Sequence, residues 1–214
     1  METIITPSTT ATTATNSTPY SSSGPSAHKH IWIVGGPAGC GKSTVATHLA
    51  TSLHLPYLEG DDFHTPENVA KMATGTPLTD SDRWDWLTLL RSASLSALSP
   101  SSSSPSPAGV VVTCSALKRK YRDVMRVAPY HDPRVQVHFI FLCASEEVLL
   151  ARVAGRKGHY MGANMVKSQL EVMEMPVGER DAVVIDVSVG KEEVERRALE
   201  VVREAAGGER ARLA

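Results

Sequence analysis

Two hydrophobic rhythms alternate along this chain. Ile31-Trp32-Ile33-Val34 is an apolar run with β-branched residues, and Gly109-Val110-Val111-Val112-Thr113-Cys114 is a continuous one of the kind a strand shows when both its faces are covered. Arg134 to Leu142 and Asp181 to Val187 read as further strands, and His54 to Leu58 as a short one ending in Glu59-Gly60-Asp61-Asp62. Between these runs, apolar positions return at helical spacing. Val45, Ala46, Leu49, Ala50 and Leu53 form one face of a helix starting at Thr44. Asn68, Lys71 and Met72 share a face of a second helix with Pro66 in its first turn. Arg83, Trp84, Trp86, Leu87 and Leu90 trace a third to about Leu98, with Asp80 or Ser81 as its N-cap. Ser115 to about Val127, a Ser145-capped segment through Val153, Ala163 to Met173 and Glu192 to Ala205 complete the helices. The alternation predicts an α/β fold, a mostly parallel sheet with helices on both faces.

Four stretches carry neither rhythm. Residues 1–27 are Ser, Thr, Ala and Pro with almost no charge or large apolar side chain, so a disordered tail is expected. It lacks the basic start and apolar centre of a secretory signal, and it has no Arg for a mitochondrial one. Residues 99–107 are a disordered Ser/Pro insertion inside one domain over 28–206, because the elements on both sides belong to the same alternation. Residues 155–163 are polar and punctuated by glycine, and 207–214 are expected to fray. The balance of 22 basic and 23 acidic residues gives no electrostatic footprint for nucleic acid or an acidic membrane. No run approaches the length of a membrane span. Cys40, Cys114 and Cys143 are odd in number and far apart, which predicts reduced thiols and a cytoplasmic location.

The first apolar run leads directly into Gly36-Pro37-Ala38-Gly39-Cys40-Gly41-Lys42-Ser43, the pattern G-x-x-x-x-G-K-[ST]. Its glycines let consecutive backbone N–H groups turn inward around phosphates, and the helix beginning at Thr44 aims its positive end at them. Lys42 is expected to reach the β- and γ-phosphates of ATP, and the Ser43 hydroxyl to ligate Mg²⁺. Cys40 is expected to be an alkylation site beside the phosphates. Glu59 and Asp61, two apart at a strand end, are expected to point the same way into the ligand crevice. One carboxylate would hold Mg²⁺ through water and the other accept the hydrogen of an attacking hydroxyl. The phosphate loop leaves the acceptor open: a small hydroxy acid, a nucleotide, or none in a silent ATP-binding regulator.

Several further blocks narrow that choice. Glu59-Gly60-Asp61-Asp62-Phe63-His64, then Asn68, Lys71-Met72, Gly75 and Pro77-Leu78, resemble the gluconokinase family of small P-loop sugar-acid kinases. Asp80-x-Asp82-Arg83-x-x-Trp86-Leu87, Cys114-Ser115-Ala116-Leu117-Lys118-Arg119 with Tyr121-Arg122-Asp123, and Arg156-Lys157-Gly158-His159-Tyr160-Met161 continue the likeness, as do Ser168-Gln169, Glu171 and Pro176. The resemblance covers about residues 30–205. It implies the P-loop NTPase fold of shikimate and nucleoside-monophosphate kinases: a five-stranded parallel sheet sandwiched by helices, a substrate-binding helical region and a mobile lid. It also implies transfer of phosphate from ATP to D-gluconate, giving 6-phospho-D-gluconate, and a homodimer.

The resemblance also implies roles. Arg83 is the first choice for the gluconate carboxylate, because a guanidinium meets it bidentately; a salt bridge to Asp80 or Asp82 is the plain alternative. His64 and Lys118 are placed on the substrate, Asp61 as general base with Asp62 as rival, and Glu59 on the Mg²⁺ water shell. Arg152 is assigned to the adenine or phosphates, Arg156 to the transferring phosphoryl group, and His159 to the closing lid. Gln169, Glu171 and Glu174 are expected to support the lid helix. The chain departs from the family pattern at Glu59, where aspartate is usual, at Trp84-Asp85, where the tryptophan is extra and proline is usual, and at Met175.

Overall fold

The computed structural model describes residues 28–100, 106–155 and 163–212, with side chains not described at 163 and 207–212. The expected tail, most of the Ser/Pro insertion and the lid residues Arg156 and His159 therefore lie outside the described residues. Five parallel strands form one sheet: β1 (Lys29–Gly35), β2 (Tyr57–Leu58), β3 (Gly109–Thr113), β4 (Val135–Cys143) and β5 (Ala182–Asp186), in the spatial order β2-β3-β1-β4-β5. β1 is central, and Ile31 pairs with Val110 on one side and Val137 on the other.

The period-two alternation of the strands sorts the core into two layers. Trp32, Val34, Val111, Ile140 and Leu142 face α1 (Lys42–Leu53), α6 (Glu146–Ala154), α7 (Ala163–Glu171) and α8 (Lys191–Arg212). Ile31, Ile33, Val110, Val112 and Phe139 face the other way, onto α3 (Ser81–Ala97) and α4 (Arg119–Met125). Each such fully buried aliphatic or aromatic side chain contributes about 1.5–3 kcal/mol. The remaining helices are α2 (Pro66–Ala73), capped by the Thr65 hydroxyl on Asn68 N–H, and the short α5 (Ala128–His131).

Four expectations are corrected. The second strand shrinks to two residues because His54, at φ 53°, caps α1 in the left-handed region. The helix expected from Ser115 starts only at Arg119, since Ala116 at φ 46° cannot continue a right-handed helix. Neither Asp80 nor Ser145 caps through its side chain: Asp80 turns to α4, and the Ser145 hydroxyl turns to the Glu147 carboxylate. The last helix continues past Gly207-Gly208 to Arg212.

The loop between β3 and α4 is held from below by a charge. Arg122 is fully buried, donates from Nη1 to Ala116 O (2.9 Å) and Leu117 O (3.3 Å), and meets Glu179 through Nε (2.8 Å) and Nη2 (2.6 Å). Arg126 extends the network to Glu179, Asp181 and Asp123. The bonds from Arg122, then those from Arg126, pull the Glu179 carboxyl down to about 2. Its stabilisation is therefore present above the ordinary glutamate range and is lost as pH falls toward about 2. Glu179→Ala leaves a buried, uncompensated guanidinium, and should destabilise the fold by about 3–5 kcal/mol in urea titration at pH 7; a loss of surface-pair size would refute this.

Candidate active site

The carboxyl ends of β1, β2 and β3 meet at the loop entering α1. Gly36 sits there at φ +127°, and a Cβ on it would lie 2.2 Å from Leu142 O, so the backbone of β4 leaves room for glycine only. Its N–H donates to Ser115 O (3.0 Å), while Ala38 N–H donates to Gln169 Oε1 (2.7 Å). Lys42 Nζ lies within the loop, donating to Gly36 O (3.1 Å) and Pro37 O (3.2 Å). The first turn of α1 carries no acid, which leaves the helix dipole unopposed for an anion.

Two cavities flank this loop. The larger, about 410 Å³, is lined by Gly39, Gly41, Thr44, Arg152, Val187 and Lys191 among others. Arg152 is anchored there by a bond from Nη2 to Val187 O (2.6 Å). Cys40 also borders it, but its side chain is buried and burial pushes its thiol pKa up, despite Lys42. A protonated, covered thiol is a poor nucleophile, so the expected alkylation site is not supported.

The smaller cavity, about 40 Å³, brings together Lys42, Asp61, His64, Arg83, Ser115 and Gln169, with Met72, Leu78 and Met165 as apolar walls. The period-two argument for Glu59 and Asp61 does not hold, because a 3₁₀ turn over Gly60–Phe63 follows β2 directly. Asp61 and Asp62 are both exposed, but of the two only Asp61 lines the cavity. Glu59 turns the other way, accepting bonds from the hydroxyls of Tyr57, Thr113 and Ser43. Burial raises its pKa, but those three bonds and the Lys42 charge outweigh it, so the group stays an anion.

The turn itself is locked. A Cβ at Gly60 would lie 2.0 Å from Thr113 O, its N–H donates to Thr113 Oγ1 (2.8 Å), and its carbonyl accepts from Trp86 Nε1 (2.7 Å). Trp86 also stacks on His64, with ring centroids 4.2 Å apart. His64 Nε2 is 3.9 Å from Asp61 Oδ1, and burial, then the Arg83 charge, lowers its pKa to about 4. The imidazole is neutral at pH 7.

Arg83 makes neither of the alternative salt bridges. Its Nη2 donates to Leu78 O (3.1 Å), while Asp82 is taken by Lys71 (2.5 Å) and Thr79, and Asp80 by Lys118, Lys120 and Tyr121. Two buried polar atoms on the cavity side chains, His64 Nδ1 and Arg83 Nε, have no hydrogen-bond partner among the described residues. Unmatched buried donors and acceptors cost free energy and are uncommon unless a ligand uses them. Lys118 is not among the cavity-lining residues; its ammonium meets Asp80 at 3.3 Å.

Residues not singled out from the sequence are Tyr57, Thr113 and Ser115, and Gln169 contacts the phosphate loop instead of only bracing a helix. Glu174 accepts from Arg119 N–H (2.7 Å) at the start of α4. Nothing in their local pattern marks these side chains: Thr113, Ser115, Gln169 and Glu174 each act across more than fifty residues, and Tyr57 bonds Glu59 two positions on only because the chain turns there. Among the described residues no group of three His, Cys, Asp or Glu side chains forms a metal cage. Ser43 and Glu59 are hard oxygen donors beside the phosphate loop, which suits Mg²⁺ held mainly by phosphates and water.

The chain matches a family model described as "AAA domain" over residues 31–178. It is 45% identical to a probable gluconokinase of Schizosaccharomyces pombe over 82% of this chain and 89% of that one. It is 35% identical to the thermoresistant gluconokinase of Escherichia coli, covering 81% and 94% respectively. A crystal structure of a gluconokinase from Sinorhizobium meliloti superposes with a TM-score of 0.73 at 37% identity, covering 87% of this chain and 99% of that one. With its parallel five-stranded sheet, its phosphate loop and these relatives, the chain belongs to the gluconokinase family of P-loop kinases.

Proposed function

We propose that the chain transfers the terminal phosphoryl group of ATP to the C6 hydroxyl of D-gluconate, releasing 6-phospho-D-gluconate and ADP. The observation that carries this reading is the pair of cavities at the phosphate loop: a large one at the mouth of α1, and a small one lined by Lys42, an acid, a neutral imidazole and a guanidinium not paired with its neighbouring acids. The family relationship supports the same reaction.

In this reading the nucleotide lies in the larger cavity, with the N–H groups of Gly39 to Thr44 around its phosphates and Arg152 on its far wall. Lys42 leaves its loop carbonyls and follows the charge onto the transferring group. Arg83 takes the acceptor's carboxylate, which holds the far end of a six-carbon chain and leaves its hydroxyl facing Asp61. Asp61 accepts the hydroxyl proton, and neutral His64 hydrogen-bonds a substrate hydroxyl without adding charge beside the base. Mg²⁺ would be held by Ser43 directly and by Glu59 through water, and supplies neutralisation of the phosphate charge. Arg156 and His159 complete the set from the lid, whose closure excludes water so that ATP is not hydrolysed. A cytoplasmic location fits three free cysteines and, among the described residues, the lack of any helix long and apolar enough to cross a membrane; a homodimer is the family expectation.

Asp61→Asn should lower kcat by about 100-fold or more while nucleotide affinity stays within about twofold, measured by coupled ADP release and fluorescent-nucleotide titration. A loss of that size in Asp62→Asn, with Asp61→Asn active, would move the base by one residue. Arg83→Lys should raise KM for gluconate about tenfold with kcat little changed, since a point charge cannot make the bidentate contact. If KM for gluconate stays at the wild-type value, the carboxylate lies elsewhere.

A further inference from the structure

Arg83 stands in a sequence that should neutralise it. Asp80 is one helical turn before it, with Arg83 N–H donating to Asp80 O at 3.0 Å, and i,i+3 side chains share a face. Asp82 is its neighbour. A carboxylate at i−3 is within reach of the guanidinium, and an anionic acceptor would then have to compete with a tethered carboxylate.

The structure removes both acids. Lys71 and Thr79 take Asp82. Asp80 is drawn to α4, where Lys118, Lys120 and the Tyr121 hydroxyl all donate to it. Tyr121 touches both members of the pair that does not form. Its hydroxyl holds the acid, while its ring face carries the cation, with Arg83 Cζ 5.4 Å from the centroid. Trp84, the extra tryptophan of this chain, packs edge-on against Tyr121 (5.9 Å) and lies 5.8 Å from Lys120 Nζ, which walls the cluster on its outer side. The bonds from Lys120 first, and Tyr121 next, hold the Asp80 carboxyl far below its usual range, so it stays an anion at neutral pH.

We propose that Lys120 and Tyr121 are positioning residues that sequester Asp80 from Arg83, keeping the guanidinium available for the carboxylate of the acceptor. The inference rests on the reading of Arg83 given above. It deepens that reading by assigning the affinity for an anionic acceptor to a competition between two carboxylates, one of them the protein's own.

The test is a rescue by a second substitution, made in the full chain. Lys120→Met/Tyr121→Phe should raise KM for gluconate about tenfold, with kcat and the KM for ATP within about twofold, because Asp80, left with only its longer contact to Lys118 (3.3 Å), is free to turn to Arg83. Adding Asp80→Asn should return KM to within about twofold of wild type, since an amide has no charge with which to capture the guanidinium. A cluster that merely braces α3 against α4 would lose a further contact in the triple variant and bind gluconate no better. An unchanged KM in the double variant, or no recovery on adding Asp80→Asn, overturns the proposal. Lys120→Met alone, at a half-exposed lysine, supports the same comparison if the double variant does not fold. Arg83→Met separates the two levels: a wild-type KM for gluconate there refutes the reading of Arg83 itself. A raised KM without rescue by Asp80→Asn refutes only the sequestration of Asp80.

Discussion

The hydroxyl of Thr113, at the buried end of β3, carries the geometry of the site. It accepts the Gly60 N–H and donates to Glu59, so one oxygen sets the turn bearing Asp61 and the orientation of the acid facing Ser43. Thr113 can do this because β3 lies between β2 and β1, with its backbone held by ladder bonds on both sides. A group placed by a central strand moves little, and catalytic positioning tolerates errors of only a fraction of an ångström. The absence of a side chain at Gly60 is the complement of this bond, since any Cβ there would drive the turn off the Thr113 carbonyl.

Around that point the charges are divided so that few of them cancel where chemistry is needed. Glu59 is stabilised as an anion by hydroxyl donors, which leaves the nearby Lys42 amine on the loop carbonyls and not locked into an ion pair. His64 is kept neutral by burial and the Arg83 charge. The acids flanking Arg83 are absorbed by lysines and hydroxyls on α2, α4 and the loop between α2 and α3. The fully buried Arg122, by contrast, is cancelled completely, because its task is to hold the Ala116 and Leu117 carbonyls in a loop whose neighbour, Ser115, touches both the phosphate loop and the smaller cavity. Paired charges build the frame here, while among the described residues the Lys42 and Arg83 cations line the smaller cavity with backbone carbonyls as their hydrogen-bond partners.

Gln169 shows how the two halves of the chain are joined. Its side-chain carbonyl, from α7, accepts the N–H of Ala38 in the phosphate loop, and the same residue lines the smaller cavity. Helix α7 is thereby tied to the loop that opens α1.

The order of strands and helices, the phosphate loop and the sugar-acid kinase likeness were legible in the linear chain, because each is a local pattern: periodicity two or 3.6, glycines at fixed offsets, blocks of neighbouring residues. Trp32 and Ile33 read as one strand from their neighbours alone, and tertiary packing then merely assigned them to opposite layers. What the fold alone decided are contacts made across long separations. Thr113 reaches Glu59 across 54 positions, and Asp80 is claimed by α4 instead of capping its own helix. Ala116 takes a left-handed backbone, and Cys40 becomes inert through cover. Local sequence sets which conformations a segment favours, but the partner of a polar side chain and the burial of a thiol depend on residues brought together only when the sheet closes.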